Sequence, residues 1–311
     1  MAMKSTTGFS LSVKALTIVA LCFVAGGAFG QSDTKAESFY TGGAPAAEAM
    51  GWRLGCQAYS FNRFTFYEAI DKVASMGLRY IEAYPGQRLS KDKPEGVLMH
   101  HDMDPALHAE VLAKLKESDV TVVNYGVVGL SREEGESRKV FDFAKAMGIE
   151  TIVTEPGPRD FDTIEKLAEE YGIGIAIHNH PKPSRYWDYK SVLKACEGRS
   201  KRIGACADTG HWMRSDINPL EAVKALEGRI VSFHLKDLNK YGRSGAHDVI
   251  WGTGKADIKA ILTEVHRQGF KGVFSVEYEH NWENSVPEIA ASAKYFNEVA
   301  AGLQAQGGGS K

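Results

Sequence analysis

Residues 133–157, EEGESRKVFDFAKAMGIETIVTEPG, contain one complete structural unit. Val140, Phe141, Ala144 and Met147 recur at the spacing that gathers them on one face of a helix. Gly148 ends that helix, because glycine takes the left-handed cap at no steric cost. Ile149–Glu155 then reads as a short strand buried on both faces, and it ends on a carboxylate.

The same order recurs along the chain without any internal sequence repeat. Strands are expected at Trp52–Tyr59, Leu78–Ala83, Val120–Val127, Ile149–Glu155, Ile173–His180, Arg202–Asp208, Ile230–Lys236 and Gly272–Glu277. Helices are expected at Phe66–Met76, Pro105–Glu117, Glu133–Met147, Asp162–Tyr171, Trp187–Glu197, Pro219–Leu226, Ile258–Gln268 and Val286–Ala300. Gly77, Gly148, Gly172, Gly228 and Gly269 each stand between a helix and the next strand. Strand–helix pairs repeated in this way over about 250 residues predict an α/β fold, a single (β/α)8 TIM barrel. An open doubly wound sheet is the competing arrangement, but no GxGxxG follows the first strand.

The flanks account for the rest of the 311 residues. Residues 1–30 carry only Lys4 and Lys14 as charges, an apolar stretch from Ala15 to Ala25, and small residues at Ala28 and Gly30. That is the layout of a signal peptide cleaved near Gly30, with an apolar core too short to span a bilayer, so the mature protein is expected to be exported and periplasmic. Residues 31–50 form a polar lead-in, 51–303 the barrel, and 304–311 a disordered tail. Without Lys4 and Lys14 the chain has 35 basic and 39 acidic side chains. With no basic stripe either, nothing draws the chain to nucleic acid or anionic membrane, and neither is expected as a partner. Cys56, Cys196 and Cys206 show neither a disulfide framework nor metal-ligand spacing.

The polar residues are placed unevenly. Glu82, Asn124, Glu155, His178–His180, Asp208 with His211, His234–Asp237 and Glu277 with Glu279 and His280 all fall at strand ends or just beyond. Active sites of such barrels lie at that rim. A carboxylate ending an apolar strand is costly unless it is paired or metal-bound. Glu155, Asp208, His234 and Glu277 would converge on the barrel axis as three carboxylates and one imidazole. This donor set suits Mn²⁺ first, and it also accommodates Mg²⁺, Co²⁺ or Zn²⁺. The competing reading for each is a rim salt bridge. His178 and His180 alternate along a strand and should face opposite ways, with His180 taken as the one at the site. Glu82 either contacts substrate or pairs with Arg79 or Arg88. Trp251 lies in a βα loop, where an indole face could stack on a sugar or fill the core.

Asp208-Thr209-Gly210-His211, His234-Leu235-Lys236-Asp237, Trp251-Gly252-Thr253-Gly254 with Ala256-Asp257-Ile258, Val276-Glu277-Tyr278 and Gln57-Ala58-Tyr59-Ser60 together resemble the xylose isomerase-like TIM barrel superfamily. The likeness extends over essentially all of the mature chain. It implies the same four ligands, with His211 and Lys236 as partners of substrate oxygens, or as second-metal groups in the nuclease branch. It also implies an isomerase or epimerase that removes a proton next to a carbonyl, with Glu155 and Glu277 as the acid/base pair. His180 and His211 could hold a hydroxyl or relay a proton. Export and the lack of a phosphate-binding glycine nest favour a non-phosphorylated sugar or sugar derivative. A lyase or hydratase acting on 3-keto-glycosides or 3-keto-2-hydroxyglycals would use the same chemistry. The resemblance also admits a non-catalytic sugar-binding barrel and, against the acidic balance of the chain, an endonuclease IV-like nuclease. A homo-oligomer, or pairing with a related barrel, is compatible with such a chain.

Overall fold

The computed structural model describes residues 38–307; the expected signal peptide lies outside them. The eight expected strands are β1 (Trp52–Gln57), β2 (Tyr80–Ala83), β3 (Thr121–Tyr125), β4 (Thr151–Thr154), β5 (Gly174–His178), β6 (Ile203–Asp208), β7 (Ile230–Leu235) and β8 (Gly272–Val276). They close into a parallel barrel in sequence order, with β8 pairing back onto β1.

Period-two alternation sorts each strand. Ile81, Ile152, Ile175, Ile177, Ala205, Ala207, Phe233 and Phe274 join the main core with the surrounding helices. Val153, Ala176 and Cys206 form a separate small cluster within the barrel. The polar residues share the inward phase, and register brings them level. Gln57 is opposite Glu82, which is opposite Asn124; Asp208 is opposite His234, which is opposite Ser275. The ladder shifts register just before Glu82 and again before Cys206. Such irregularities re-aim the residues that follow them.

Four features were not expected from periodicity. A two-stranded ribbon, Gln87–Arg88 with Leu98–Met99, occupies the excursion after β2. A helix of six residues, Thr209–Arg214, begins directly at Asp208, whose side chain accepts from the His211 backbone and caps it. It is too short to show a period. The closing helix runs Val286–Gly307, into the segment expected as tail. Leu303 is buried there, and Gln304 donates to the Ala46 carbonyl at 2.9 Å. The lead-in is docked as well: Pro45–Ala49 is helical and Ala47 is fully buried.

Candidate metal and substrate site

The site is built from the barrel interior towards the rim. Glu82 is fully buried. Its carboxylate accepts from Gln57 Nε2 at 3.1 Å, Asn124 Nδ2 at 3.2 Å and Ser275 Oγ at 2.6 Å. It also faces His234 Nε2 at 2.7 Å. Neither role expected for Glu82 describes this place. Arg79 pairs with Asp119, and Arg88 donates to the carbonyls of Lys91 and Lys93. Glu82 does not line the cavity; it fixes the His234 ring through Nε2, so that Nδ1 is the nitrogen turned towards Glu277 and Asp208.

His234 Nδ1 is 3.1 Å from Glu277 Oε2 and 4.0 Å from Asp208 Oδ2. His178 Nε2 is 3.5 Å from the same Asp208 oxygen. These four atoms are buried without a hydrogen-bond partner, and side chains of all four residues can place one donor atom each within 4.8 Å of the others. Buried polar atoms are nearly always satisfied, so four that point at one place suit a cation. Lys236, fully buried, sets its Nζ at 2.9 Å from Asp208 Oδ2 and 2.7 Å from Glu277 Oε2, without hydrogen-bond alignment. The surroundings favour positive charge. Burial pushes His234 down, yet Cys206, Glu82 and Glu277 raise it well above the ordinary imidazole value. Because burial keeps the Cys206 thiol protonated, the two carboxylates are the physical source.

Asp208, His234 and Glu277 thus come together as expected, and Glu155 does not join them. Just past the end of β4, its Oε1 lies 3.0 Å from His178 Nδ1, on the opposite side of that ring, and accepts from the His180 backbone at 3.2 Å. It also contacts His180 Nδ1. Burial raises the Glu155 pKa, but the hydrogen bonds from His178 and His180 prevail and hold it at about 2. Strict alternation of His178 and His180 fails because β5 ends at His178. Beyond it, Asn179 turns away to bond both backbone groups of Asp208 at 2.9 Å, and the two imidazoles lie 4.5 Å apart. His178 is buried, and His180 stands half-exposed at the mouth.

Above these groups is a cavity of about 340 Å³, lined in part by Gln57, Tyr59, Tyr84, His180, His211 and Glu277. Tyr59 meets Tyr84 edge-on at 5.3 Å and forms one wall. Trp251 is not there. It is 1% exposed, packed against Phe296, and its role is core filling. The glycine loop around it clasps Asp237, which accepts from the backbones of Gly252, Gly254 and Ala256 at 2.9–3.0 Å. A Cβ on Gly254 would come within 2.1 Å of that carboxylate. Sequence alone pointed neither to the aromatic wall nor to Arg214, since neither tyrosine position nor a helix arginine carries a signal by itself.

Arg214 donates to His211 Nδ1 at 3.0 Å and to Asp248 Oδ2 at 3.0 Å, and it pairs with Glu279 at 2.7 Å. His211 is therefore held as a neutral ring with its proton on Nε2, and burial pushes its pKa well down. Burial raises Asp248 from 3.8 to about 7, against the pull of Lys236 and Arg214. The folded state then holds a proton that the unfolded chain loses above pH 4, so stability declines as pH rises from about 4 to about 7. Asp248→Asn should remove up to roughly 4 kcal/mol of that decline. Urea midpoints at pH 5 and pH 7.5 check this. Parallel changes in wild type and variant would mean that Asp248 is ionised throughout.

No curated protein matches the chain. Among solved structures, an uncharacterized protein of Parabacteroides distasonis is 33% identical, with 80% of this chain and 99% of that one covered at a TM-score of 0.65. A D-tagatose 3-epimerase-like protein is 18% identical, with 82% and 99% covered and a TM-score of 0.63. A probable 3-DHS dehydratase of Bacillus anthracis is 16% identical, with 78% and 97% covered and a TM-score of 0.58. The last two speak to the fold alone. The profile of the xylose isomerase-like TIM barrel matches residues 70–299, and the chain belongs to that family.

Proposed function

We propose that the chain is a divalent-metal-dependent isomerase or epimerase that moves a proton on the carbon next to a carbonyl, in a non-phosphorylated sugar or sugar derivative. The observation that carries this reading is the set of four buried donor atoms that lack a hydrogen bond and gather at one place beneath a cavity of monosaccharide size. Asp208, His234 and Glu277 would hold the metal, with a fourth donor from β4 or β5. When bound, such an ion supplies Lewis-acid stabilisation of the negative charge that develops as the proton leaves. Mn²⁺ is the first choice.

The residues divide the remaining work. Glu277 is buried but lines the cavity, which gives it the position to take or return a proton. Glu155, the second carboxylate, stands behind His178 and His180, and of these groups His180 is the one that reaches the cavity. His211 offers an Nε2 proton to a substrate oxygen, and Arg214 keeps it there. Lys236 tempers the charge between Asp208 and Glu277. Tyr59 and Tyr84 exclude water and give a sugar an apolar face. The ten residues lining the cavity include no lysine or arginine, which supports a substrate without phosphate. The half-exposed His180 imidazole beside Glu155 also suits protonation of a leaving oxygen, so elimination from a 3-keto-glycoside is the second reading.

The test is incubation with Mn²⁺ and a panel of free, phosphorylated and 3-keto sugars in deuterated water. Epimerisation puts solvent deuterium on a product carbon without loss of water or aglycone; elimination gives an enone absorbing in the ultraviolet. No exchange with any sugar would overturn the reading. Export with cleavage near Gly30 belongs to the same proposal, and N-terminal sequencing of the secreted protein checks it.

A further inference from the structure

We infer that the fourth metal donor is the His178 imidazole, and that Glu155 is a positioning residue that orients this ring rather than a ligand. The inference rests on the metal-dependent reading above and concerns which side chains of this chain hold the ion.

Two histidines are built into the site in the same way. His234 places Nε2 against Glu82 at 2.7 Å and leaves Nδ1 unpartnered. His178 places Nδ1 against Glu155 at 3.0 Å and leaves Nε2 unpartnered. Both free nitrogens approach Asp208 Oδ2, at 4.0 and 3.5 Å. A carboxylate behind an imidazole fixes its tautomer and raises its basicity, which is the usual support for a metal-binding histidine. Here the arrangement occurs twice around one point.

Glu155 is poorly placed to be the ligand itself. The His178 ring stands between its Oε1 and Asp208, because the ring uses one nitrogen for each. That oxygen is already engaged by His178 and by the His180 backbone. His178 is 1% exposed and sits at the end of β5, whose next residue, Asn179, pins the Asp208 backbone. Ring and carboxylate are thus locked relative to each other through adjacent strands. The donor set becomes two nitrogens and two carboxylates, which balance a dication formally. The Glu155 carboxylate then stays outside the ligand set, beside His180 at the mouth.

The experiment counts nitrogens. The full protein is loaded with Mn²⁺, and directly bound ¹⁴N is measured by pulsed electron paramagnetic resonance, with ¹⁵N-histidine labelling as the assignment. Two coupled imidazole nitrogens are expected in wild type. His178→Gln should show one. Glu155→Gln should keep two nitrogens and one ion per chain, with affinity weakened about 10–100-fold. Circular dichroism verifies folding of each variant, and the wild-type count stands even if His178→Gln fails to fold. A single bound nitrogen in wild type, or loss of Mn²⁺ from Glu155→Gln while His178→Gln retains it, overturns the inference and leaves metal dependence intact. A wild type that binds no Mn²⁺ overturns both.

Discussion

Glu277→Gln should lower turnover of a responsive sugar by about 10³-fold while leaving the barrel folded, in keeping with the usual contribution of a positioned acid or base. Glu277 lies at the end of β8, one face towards the cavity and Oε2 within 3.1 Å of His234 and 2.7 Å of Lys236. Glutamine keeps the shape and an oxygen, but it cannot exchange a proton. With Mn²⁺ kept saturating, because Glu277 is also a proposed ligand, sugar affinity measured by calorimetry should change much less than turnover. That split separates an enzyme from a barrel that only binds sugar, where wild type and variant would bind alike and neither would turn over. Unchanged turnover in Glu277→Gln would remove the residue from the chemistry.

Glu82→Leu should be the most destabilising single change in the site. It leaves Gln57 Nε2, Asn124 Nδ2, Ser275 Oγ and His234 Nε2 facing an apolar side chain. Stranding buried polar partners of one carboxylate costs about 3–5 kcal/mol. For a chain of this size that is roughly 10 °C in Tm. Metal affinity should fall in the same variant, because the His234 ring loses the group that fixes it. Glu82→Gln, which retains an acceptor, should recover most of the stability. A Tm within about 2 °C of wild type for Glu82→Leu would show that the layer repacks without it.

The barrel was legible because each strand and each long helix carries its own period, and because glycines stand at the helix ends. Gly148 and Gly172 take the left-handed cap at φ near +70°. The inward set at the ends of β6, β7 and β8 was legible for a related reason, since Asp208, His234 and Glu277 each interrupt an apolar run. What escaped is set by three-dimensional detail. Alternation assigns His178 and His180 to opposite faces only while the strand lasts, and it ends at His178. Glu82 and Glu155 look alike in sequence as acids ending short strands. One is sealed beneath Ser275 and His234, and the other stands at the mouth beside His180. Trp251 resembles a sugar platform by its loop, but the side chain turns inward to Phe296.

The docking of Pro45–Ala49 on the closing helix makes the barrel nearly a ring. Ala46 is held at both its backbone groups, by Asn297 and by Gln304. The first and last described helices are therefore neighbours, and they lie by the start of β1, where Gly51 accepts from Gly272, rather than at the strand ends that carry the site. A short linker could join them, with new termini opened at an exposed αβ turn such as Glu227-Gly228. The order in which the eight units are synthesised is thus a separate matter from the enclosure they form. The cluster of donor atoms belongs to the enclosure.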